Sequence, residues 1–199
     1  MTTFDVFDPT AMSPLDPNGV LSSVAVITGG YRFTLTGATT GAALFRMPLP
    51  DGFDQNLPWD MLVRMEILSS LIGGGFGQCD CGLGFEFSDG TVKWAGIRQD
   101  VGGTWAALTT GVATAYQGAD DEFYGQIKSR GYSVNCTNIA AILDSSNVQQ
   151  DRVLSQDGLL KTISYLILYV YAPNFITAGS FDLKPGYKLI TLDGWTPPA

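Results

Sequence analysis

The chain alternates apolar and polar residues in short segments that are separated by turns. In YRFTLTG, residues 31–37, every second residue is apolar, and MLVRMEI, residues 61–67, repeats the pattern. A period of two places the apolar side chains on one face of a β-strand. LKTISYLILYVYA, residues 160–172, is apolar on both faces, which is typical of a strand near the middle of a sheet. No window shows the 3.6-residue period of a long amphipathic helix.

The turn chemistry supports the same fold class. The chain has 24 Gly and 10 Pro, and its acids are 16 Asp against only 3 Glu. Aspartate and glycine favour turns, whereas helix-rich surfaces favour Glu and Lys. These patterns predict an all-β protein, an antiparallel sandwich or barrel with at most one or two short helices. One short helix is predicted over TNIAAILDSS, residues 137–146, capped by Thr137 or Asn138.

The 199 residues suit a single domain with two extended ends. We expect the sandwich domain to span residues 20–194 and an extended tail to span 195–199. Residues 1–19 carry three prolines, which resist any regular element, and are predicted to form an extended arm. Spaced apolar side chains would dock this arm on a neighbouring subunit. They are Phe4, Phe7, Met12 and Leu15.

Composition excludes several functions. There is no histidine, which removes Ser-His-Asp and Cys-His nucleophile pairs and imidazole metal ligands. The net charge is −8 with no basic cluster, so nucleic acid is not an expected partner. No apolar run approaches the roughly 18–20 residues of a membrane helix, and the N-terminus has no signal-peptide pattern, so neither membrane insertion nor secretion is expected.

Residues 73–97, GGGFGQCDCGLGFEFSDGTVKWAGI, combine glycines, two cysteines and a lone glutamate. The Asp89-Gly90 pair predicts a two-residue hairpin turn. Counting outward, Phe85 then faces Trp94 in the core and Glu86 faces Lys93 as a solvated ion pair. The alternative for Glu86, a glycosidase carboxylate, needs a second acid at a defined distance. The glycine run precedes no Lys-Ser/Thr and therefore does not indicate a phosphate loop.

The cysteines are predicted to be buried free thiols. Cys79 and Cys81 alternate on the side of Phe85, and a disulfide between them would be strained. A bridge from one of them to Cys136 is the main alternative. A zinc site would lack ligands without histidine, so no metal site is predicted here.

Two further clusters leave alternatives open. The loop YQGADDEFYG, residues 116–125, is either a solvated acidic loop, which we favour, or a calcium site. Its oxygen ligands would come from Asp120, Asp121 and Glu122. Aromatic residues near predicted loops either close the ends of the sandwich or form a platform for glycan. The candidates for that platform are Trp105, Tyr116 and Tyr124.

The strands in GLGFEFSDGTVKWAGIRQD and GGTWAAL, followed by ISYLILYVYA, resemble the concanavalin-like jelly-roll sandwiches. This resemblance spans residues 20–193 and implies two packed antiparallel sheets. Lectins, some glycosidases and many phage virion modules share the architecture. The paired-glutamate motif of the glycosidases is missing, so the resemblance transfers no catalytic residue, and no enzyme activity is expected.

The wider profile resembles virion proteins of tailed phages. The chain is acidic, low in Lys and Glu, and begins with a proline-bearing arm. The resemblance implies a structural protein of the virion, a head decoration, tail or fibre component. Its partners would be copies of itself in a homo-oligomer and other virion proteins. The alternative is a glycan-binding module for host-surface recognition, without a cofactor other than possible calcium, and a glycan-cleaving enzyme ranks below both.

Overall fold

A computed structural model describes residues 2–4, 9–10, 12–37, 40–49, 59–71, 79–99, 105–109, 112–113, 124–132, 135–143, 149–158, 162–172 and 179–190. Every regular element in these ranges is a β-strand. The strands are β1 (Thr2–Phe4), β2 (Leu21–Ile27), β3 (Gly30–Leu35), β4 (Gly41–Pro48), β5 (Trp59–Leu71), β6 (Cys79–Phe87), β7 (Val92–Gln99), β8 (Trp105–Thr109), β9 (Val112–Ala113), β10 (Tyr124–Tyr132), β11 (Asn135–Leu143), β12 (Gln149–Gly158), β13 (Ile163–Ala172) and β14 (Gly179–Ile190).

The strands form two antiparallel sheets. The back sheet has the order β12-β11-β10-β5-β14-β3-β2, and β1 pairs with the end of β14 that β3 does not reach. The front sheet has the order β4-β13-β6-β7-β8-β9. Strand β13 has a neighbour on each side, as its two apolar faces predicted. The predicted all-β antiparallel sandwich is confirmed.

The core lies between the inner faces of the two sheets. Phe33 of β3 meets Phe45 of β4 edge to face, with ring centroids 5.7 Å apart. Both side chains are fully buried, and burying each contributes about 1.5–3 kcal/mol. On the front sheet the buried inward positions alternate along β4, β6 and β13. They are Ala43, Phe45, Cys79, Cys81, Phe85, Phe87, Leu166, Leu168 and Val170.

The predicted helix over residues 137–146 is wrong. Its described part, residues 137–143, lies in β11, which pairs with β10 on one side and with β12 on the other. An isolated helix of about ten residues is marginal in water because nucleation is costly. Ladders on both sides satisfy the same backbone groups, and the segment's isoleucines suit a strand. Tertiary pairing therefore overrides the local helical preference of the alanine pair within it.

The N-terminal segment contacts its own chain. Thr2–Phe4 forms a strand on β14, so the expectation that residues 1–19 contain no regular element is wrong at that point. Leu15 exchanges two backbone hydrogen bonds with Leu44 of β4, at 2.8 and 3.0 Å. The Asp16 carboxylate accepts from the N–H groups of Val20 and Leu21, both at 2.8 Å. Contact of the arm with a neighbouring subunit stays a prediction.

Two other expectations concern the tail and membrane insertion. The described residues end at Ile190, the last residue of β14, so the predicted tail over 195–199 lies outside the described ranges. None of the described residues belongs to a helix of the length and hydrophobicity that spanning a bilayer requires.

Candidate functional site

The hairpin between β6 and β7 has a longer loop than predicted. Gly90 donates its N–H to the carbonyl of Phe87 at 2.9 Å, and Phe87 donates to the carbonyl of Thr91 at 2.9 Å. Gly90 has φ of 80°, in the left-handed region that favours glycine. Three residues, Ser88 to Gly90, therefore connect the strands as a type I turn followed by a left-handed glycine. The predicted two-residue turn at Asp89-Gly90 is wrong.

The extra loop residue shifts the register of the hairpin by one. Phe85 lies opposite Lys93, and Gly84 lies opposite Trp94. A shift of one residue moves every side chain of the partner strand to the other face. Trp94 is therefore on the outer face of the front sheet and not beside Phe85 in the core. The predicted pairing of Glu86 with Lys93 is also wrong.

The two faces of strand β6 carry different side chains, cysteines on the inward face and acids with glycines on the outward face. Its inward residues include Cys79 and Cys81, which are buried and free, as predicted. Burial raises the pKa of both thiols, so they are neutral apolar groups at neutral pH. Its outward residues are two acids with two glycines between them. They are Asp80, Gly82, Gly84 and Glu86.

Aromatic rings from both neighbouring strands meet over the glycines of β6. Trp94 of β7 stacks on Tyr169 of β13 with centroids 4.5 Å apart and an interplanar angle of 20°. Gly84 is paired with Trp94, and Gly82 is paired with Tyr169. Strands β7 and β13 are about 10 Å apart, two strand spacings. The rings reach each other because β6 places no side chain between them.

A second tyrosine extends the ring cluster along β13. Tyr171 lies two residues beyond Tyr169, with centroids 6.4 Å apart and planes within 9°. Both tyrosines are half-buried, whereas Trp94 is only 6 % exposed. Burial, followed by the Asp80 and Tyr171 charges, raises the pKa of Tyr169 to about 12. Its hydroxyl is therefore protonated and can donate a hydrogen bond at neutral pH.

At two positions of β6 and β7, Gly84 and Gly96, the neighbouring backbone leaves no room for a side chain. A Cβ added at Gly84 would overlap the backbone of Lys93 and Trp94. A Cβ added at Gly96, which pairs with Gly82, would overlap the backbone of β6. The close approach of β6 and β7 therefore depends on glycine at these positions.

The first of two ion pairs beside the rings joins Arg46 and Glu86. Arg46 of β4 reaches across β13 and donates Nε to Oε2 of Glu86 at 2.6 Å and Nη2 to the other oxygen. Its guanidinium also lies 5.3 Å from the ring centroid of Tyr165. The Glu86 side chain is 7 % exposed and that of Arg46 is 37 % exposed. Glu86 is thus buried and paired across 40 residues, not solvated as predicted.

The second ion pair joins neighbouring strands at the other end of the rings. Arg98 of β7 donates Nε and Nη2 to the two oxygens of Asp80 at 2.8 and 2.9 Å. The Asp80 side chain is 5 % exposed and that of Arg98 is 27 % exposed. A buried carboxylate is tolerated when it is paired in this way. Each pair therefore presents its guanidinium, not its carboxylate, toward solvent.

We call this outer surface of the front sheet the aromatic face. It consists of Trp94, Tyr169, Tyr171, Arg46, Glu86, Asp80 and Arg98. The face combines ring surfaces with hydrogen-bond donors that are fixed by bidentate partners. Such a combination suits a ligand that has both apolar and hydroxyl-rich sides.

The site residues predicted from sequence lie elsewhere. Trp105 begins β8 in the front sheet, and Tyr124 begins β10 in the back sheet, so these two start strands of different sheets. Phe4 is in β1, Met12 is half-buried and Leu15 is 42 % exposed. Five candidates lie outside the described residues. They are Phe7, Tyr116, Asp120, Asp121 and Glu122.

Sequence reasoning missed the aromatic face. One signal was present, the alternation Asp-x-Gly-x-Gly-x-Glu along β6, which marks a strand face with room between two acids. The other side chains of the aromatic face come from β4, β7 and β13, and no local sequence pattern indicated them. Among the residues described, no group of three or more Cys, Asp or Glu side chains is arranged to hold a metal ion.

Comparisons with known proteins show the fold. No protein-family model matches the chain, and no curated protein matches it in sequence. The structure is similar to the CBM2 module of the evolved Dit protein of Lactobacillus casei BL23 phage J-1, with a TM-score of 0.56, 11% identity, and coverage of 90% of this chain and 84% of that one. It is also similar to a functionally unknown Saccharomyces cerevisiae protein, with a TM-score of 0.57, 12% identity, and coverage of 94% and 100%.

A seed lectin of Lotus tetragonolobus aligns at a TM-score of 0.49 and 8% identity, covering 97% of this chain and 100% of the lectin. The two packed antiparallel sheets that the jelly-roll resemblance implied are confirmed by the sheet topology of this structure.

Proposed function

We propose that this chain is a glycan-binding module and that the aromatic face is its binding site. The observation that carries the proposal is the stack of Trp94 on Tyr169 between two bidentate arginine–carboxylate pairs. The half-buried rings of Tyr169 and Tyr171 would pack on the apolar side of a sugar ring, whereas the buried Trp94 holds Tyr169 in position. The guanidinium groups of Arg46 and Arg98, whose side chains are 37 % and 27 % exposed, would donate to its hydroxyls, which is the role that a few fixed polar groups have in a ligand site.

The aromatic face favours binding over cleavage. Glycoside hydrolysis uses two carboxyl groups about 5–9.5 Å apart. Glu86 and Asp80 are six residues apart on one strand, which corresponds to about 20 Å. Both carboxylates also accept two hydrogen bonds from arginine. We therefore expect the chain to bind glycan without turning it over.

The fold supports this class of function. The phage Dit module of the same fold is named a carbohydrate-binding module. At 11% identity this likeness concerns the fold alone, so the binding residues proposed here rest on the geometry of this chain.

A glycan array tests the proposal with the full chain, with and without chelator. We expect binding that falls about two- to tenfold in Tyr171→Ala, because the loss of one stacked ring costs about 0.5–1.5 kcal/mol and tenfold corresponds to about 1.4 kcal/mol. Tyr31→Ala, at a half-buried tyrosine on the back sheet, is the control and should bind normally. Loss of binding in chelator would support calcium at Asp120, Asp121 and Glu122. The absence of binding to any sugar in either condition would contradict the proposal.

We also propose that the chain is a virion protein of a tailed phage, a decoration, tail or fibre component that contacts copies of itself and other virion proteins. The acidic, glycine-rich composition supports this role, and the phage Dit module has the same fold. Mass spectrometry of purified particles is the test. We expect the chain among the virion proteins, and its absence from particles of the encoding phage would reject this role while leaving glycan binding to be judged by the array.

A further inference from the structure

Tyr165 is an exposed ring on the same surface as the aromatic face. It is 37 % exposed, which is more than any other aromatic side chain in the described part of the chain. Strand β13 pairs with β4 from Tyr165 to Ala172 without a register shift. Side chains alternate along such a strand, so Tyr165 lies on the same outer side of β13 as Tyr169 and Tyr171. This surface therefore carries an accessible ring beyond the stack already described.

Arg46 fixes the position of this ring. Its guanidinium lies over the ring of Tyr165, 5.3 Å from the centroid. The same guanidinium donates Nε and Nη2 to the two oxygens of Glu86, and Nη1 takes no part in these two bonds. A cation over a tyrosine ring is attracted to it, and a contact group that is already ordered costs less entropy on binding. Tyr165 is thus a preorganised ring with a hydrogen-bond donor beside it.

The two ends of this side of β13 contain the same kinds of group. At one end Tyr165 lies beside Arg46. At the other end Tyr171 is half-buried and lies opposite Asp80, which accepts two hydrogen bonds from Arg98. Each end therefore offers a tyrosine ring together with an arginine whose charge is balanced by a buried acid. A sugar ring can use both kinds of contact, an apolar surface and donors to its hydroxyls.

The two ends are too far apart for a single sugar ring to contact both. Tyr165 and Tyr171 are six residues apart, which corresponds to about 20 Å along the strand. Between them Ile167 is fully buried, although it is on the outer side, and it pairs with Arg46 of β4. The Arg46 side chain crosses β13 at this point to reach Glu86. A ligand that contacts both ends must therefore be an extended chain that passes over Arg46.

We propose that Tyr165 and Arg46 form a second sugar subsite and that the ligand is a linear oligosaccharide lying along β13 from Tyr165 to Tyr171. This inference rests on the proposed glycan binding and adds the shape and length of the ligand. A chain that occupies both subsites binds more tightly than a fragment that occupies one, because its second contact is intramolecular. Affinity should therefore rise with chain length until both ends of the site are filled.

A chain-length series tests the proposal with the full chain. The probes are linear glucan, xylan and chitin oligosaccharides, each from the monosaccharide to the hexasaccharide, titrated by calorimetry. In the series that binds, we expect the affinity to rise about tenfold or more between the disaccharide and the hexasaccharide, which corresponds to about 1.4 kcal/mol.

Tyr165→Ala tests the second subsite directly. It should lower the affinity for the hexasaccharide by about two- to tenfold, which is the loss expected for one aromatic contact. The affinity for the disaccharide should stay the same, because the subsite at Tyr171 is intact. Tyr165→Phe is the matched control, since it keeps the ring beside Arg46 and should bind the hexasaccharide as the unmodified protein does. Tyr171→Ala, in contrast, should weaken the binding of both sugars.

Several results would overturn the second subsite while leaving glycan binding in place. They are an affinity that does not depend on chain length, binding to branched glycans on the array without binding to any linear series, and a folded Tyr165→Ala variant that keeps its affinity for the hexasaccharide or loses affinity for both sugars equally. A chain that binds no glycan at all would contradict the proposed function and this inference with it. Circular dichroism establishes that each variant is folded.

Discussion

The two outer faces of the sandwich contain the same kind of ion pair in different settings. On the back sheet Arg32 donates to both oxygens of Asp182 at 2.7 Å, directly across β3 and β14. The Asp182 side chain is 7 % exposed, as that of Glu86 is on the front sheet. A bidentate arginine is therefore a general way in which this fold buries an acid on an outer face, and such a pair alone does not indicate a binding site.

The front sheet differs in what lies between its pairs. The arginines there are at opposite ends of a stack of three rings, and the Arg46 side chain crosses a whole strand to reach its acid. The back pair joins adjacent strands and is a local cross-strand contact. We therefore expect equivalent changes on the two faces to destabilise the protein in both cases but to affect glycan binding on the front face only.

The largest expected effect separates the two faces. Arg98→Ala should lower the affinity for glycan by about tenfold to a hundredfold, because a hydrogen bond from a charged donor contributes about 1.5–3 kcal/mol. It should also destabilise the fold by about 2–3 kcal/mol, somewhat less than for a fully buried pair, since the Asp80 carboxylate is left buried without its arginine. Arg32→Ala should lower the melting temperature and leave glycan affinity unchanged. Titration calorimetry and urea unfolding measure both quantities, and equal loss of affinity in the two variants would contradict the distinction.

A smaller effect is expected from filling the space over β6. Gly84→Ala places a methyl group against the backbone of β7, and overpacking of this kind costs about 1–3 kcal/mol. The shift should separate Trp94 from Tyr169 and weaken glycan binding. Gly90→Asn is the control, because asparagine tolerates the left-handed conformation at this open position. Near-ultraviolet circular dichroism would report the ring stack, and an unchanged spectrum in Gly84→Ala would count against the packing described.

The dependence of the free energy of unfolding on pH above 9 tests the burial of Tyr169 in the ring stack. The pKa of Tyr169 is raised to about 12 in the folded state, above its ordinary value near 10. The folded state thus retains this proton more strongly, and the resulting stability is present below pH 10 and lost as the pH rises toward 12. Because the ring is half-buried, solvent screening reduces this contribution to about 1 kcal/mol. Tyr169→Phe should remove this part of the pH dependence, while Tyr31→Phe should not, as measured by urea unfolding between pH 9 and 12. Identical profiles for all three proteins would refute the shift.

The smallest expected effect is that of salt on glycan affinity. The four charges of the aromatic face cancel in two pairs, so a neutral glycan would meet no net field there. Affinity should change less than about twofold between low and high ionic strength, because screening acts on uncompensated exposed charges. A steep fall of affinity with salt would show instead that an anionic group of the ligand contacts the arginines.

The sequence by itself determined the strands and the direction in which their residues face. Alternation in YRFTLTG and two-sided hydrophobicity in ISYLILYVYA are local properties, and they correctly predicted β3 and the two neighbours of β13. The same alternation placed Cys79 and Cys81 inward with Phe85. These features were predictable because side-chain direction in a strand depends only on the parity of the residue number.

Tertiary structure alone decided the candidate site. One additional residue in the loop at Gly90 reversed the face of Trp94, and turn length depends on backbone geometry that the Asp-Gly pair does not specify. Arg46 is 40 residues from Glu86, and Trp94 is brought to Tyr169 only because β6 and its two neighbours assemble in one sheet. Such partners are chosen by strand order and register, which are set by the packing of the whole sandwich and leave no mark in the local sequence.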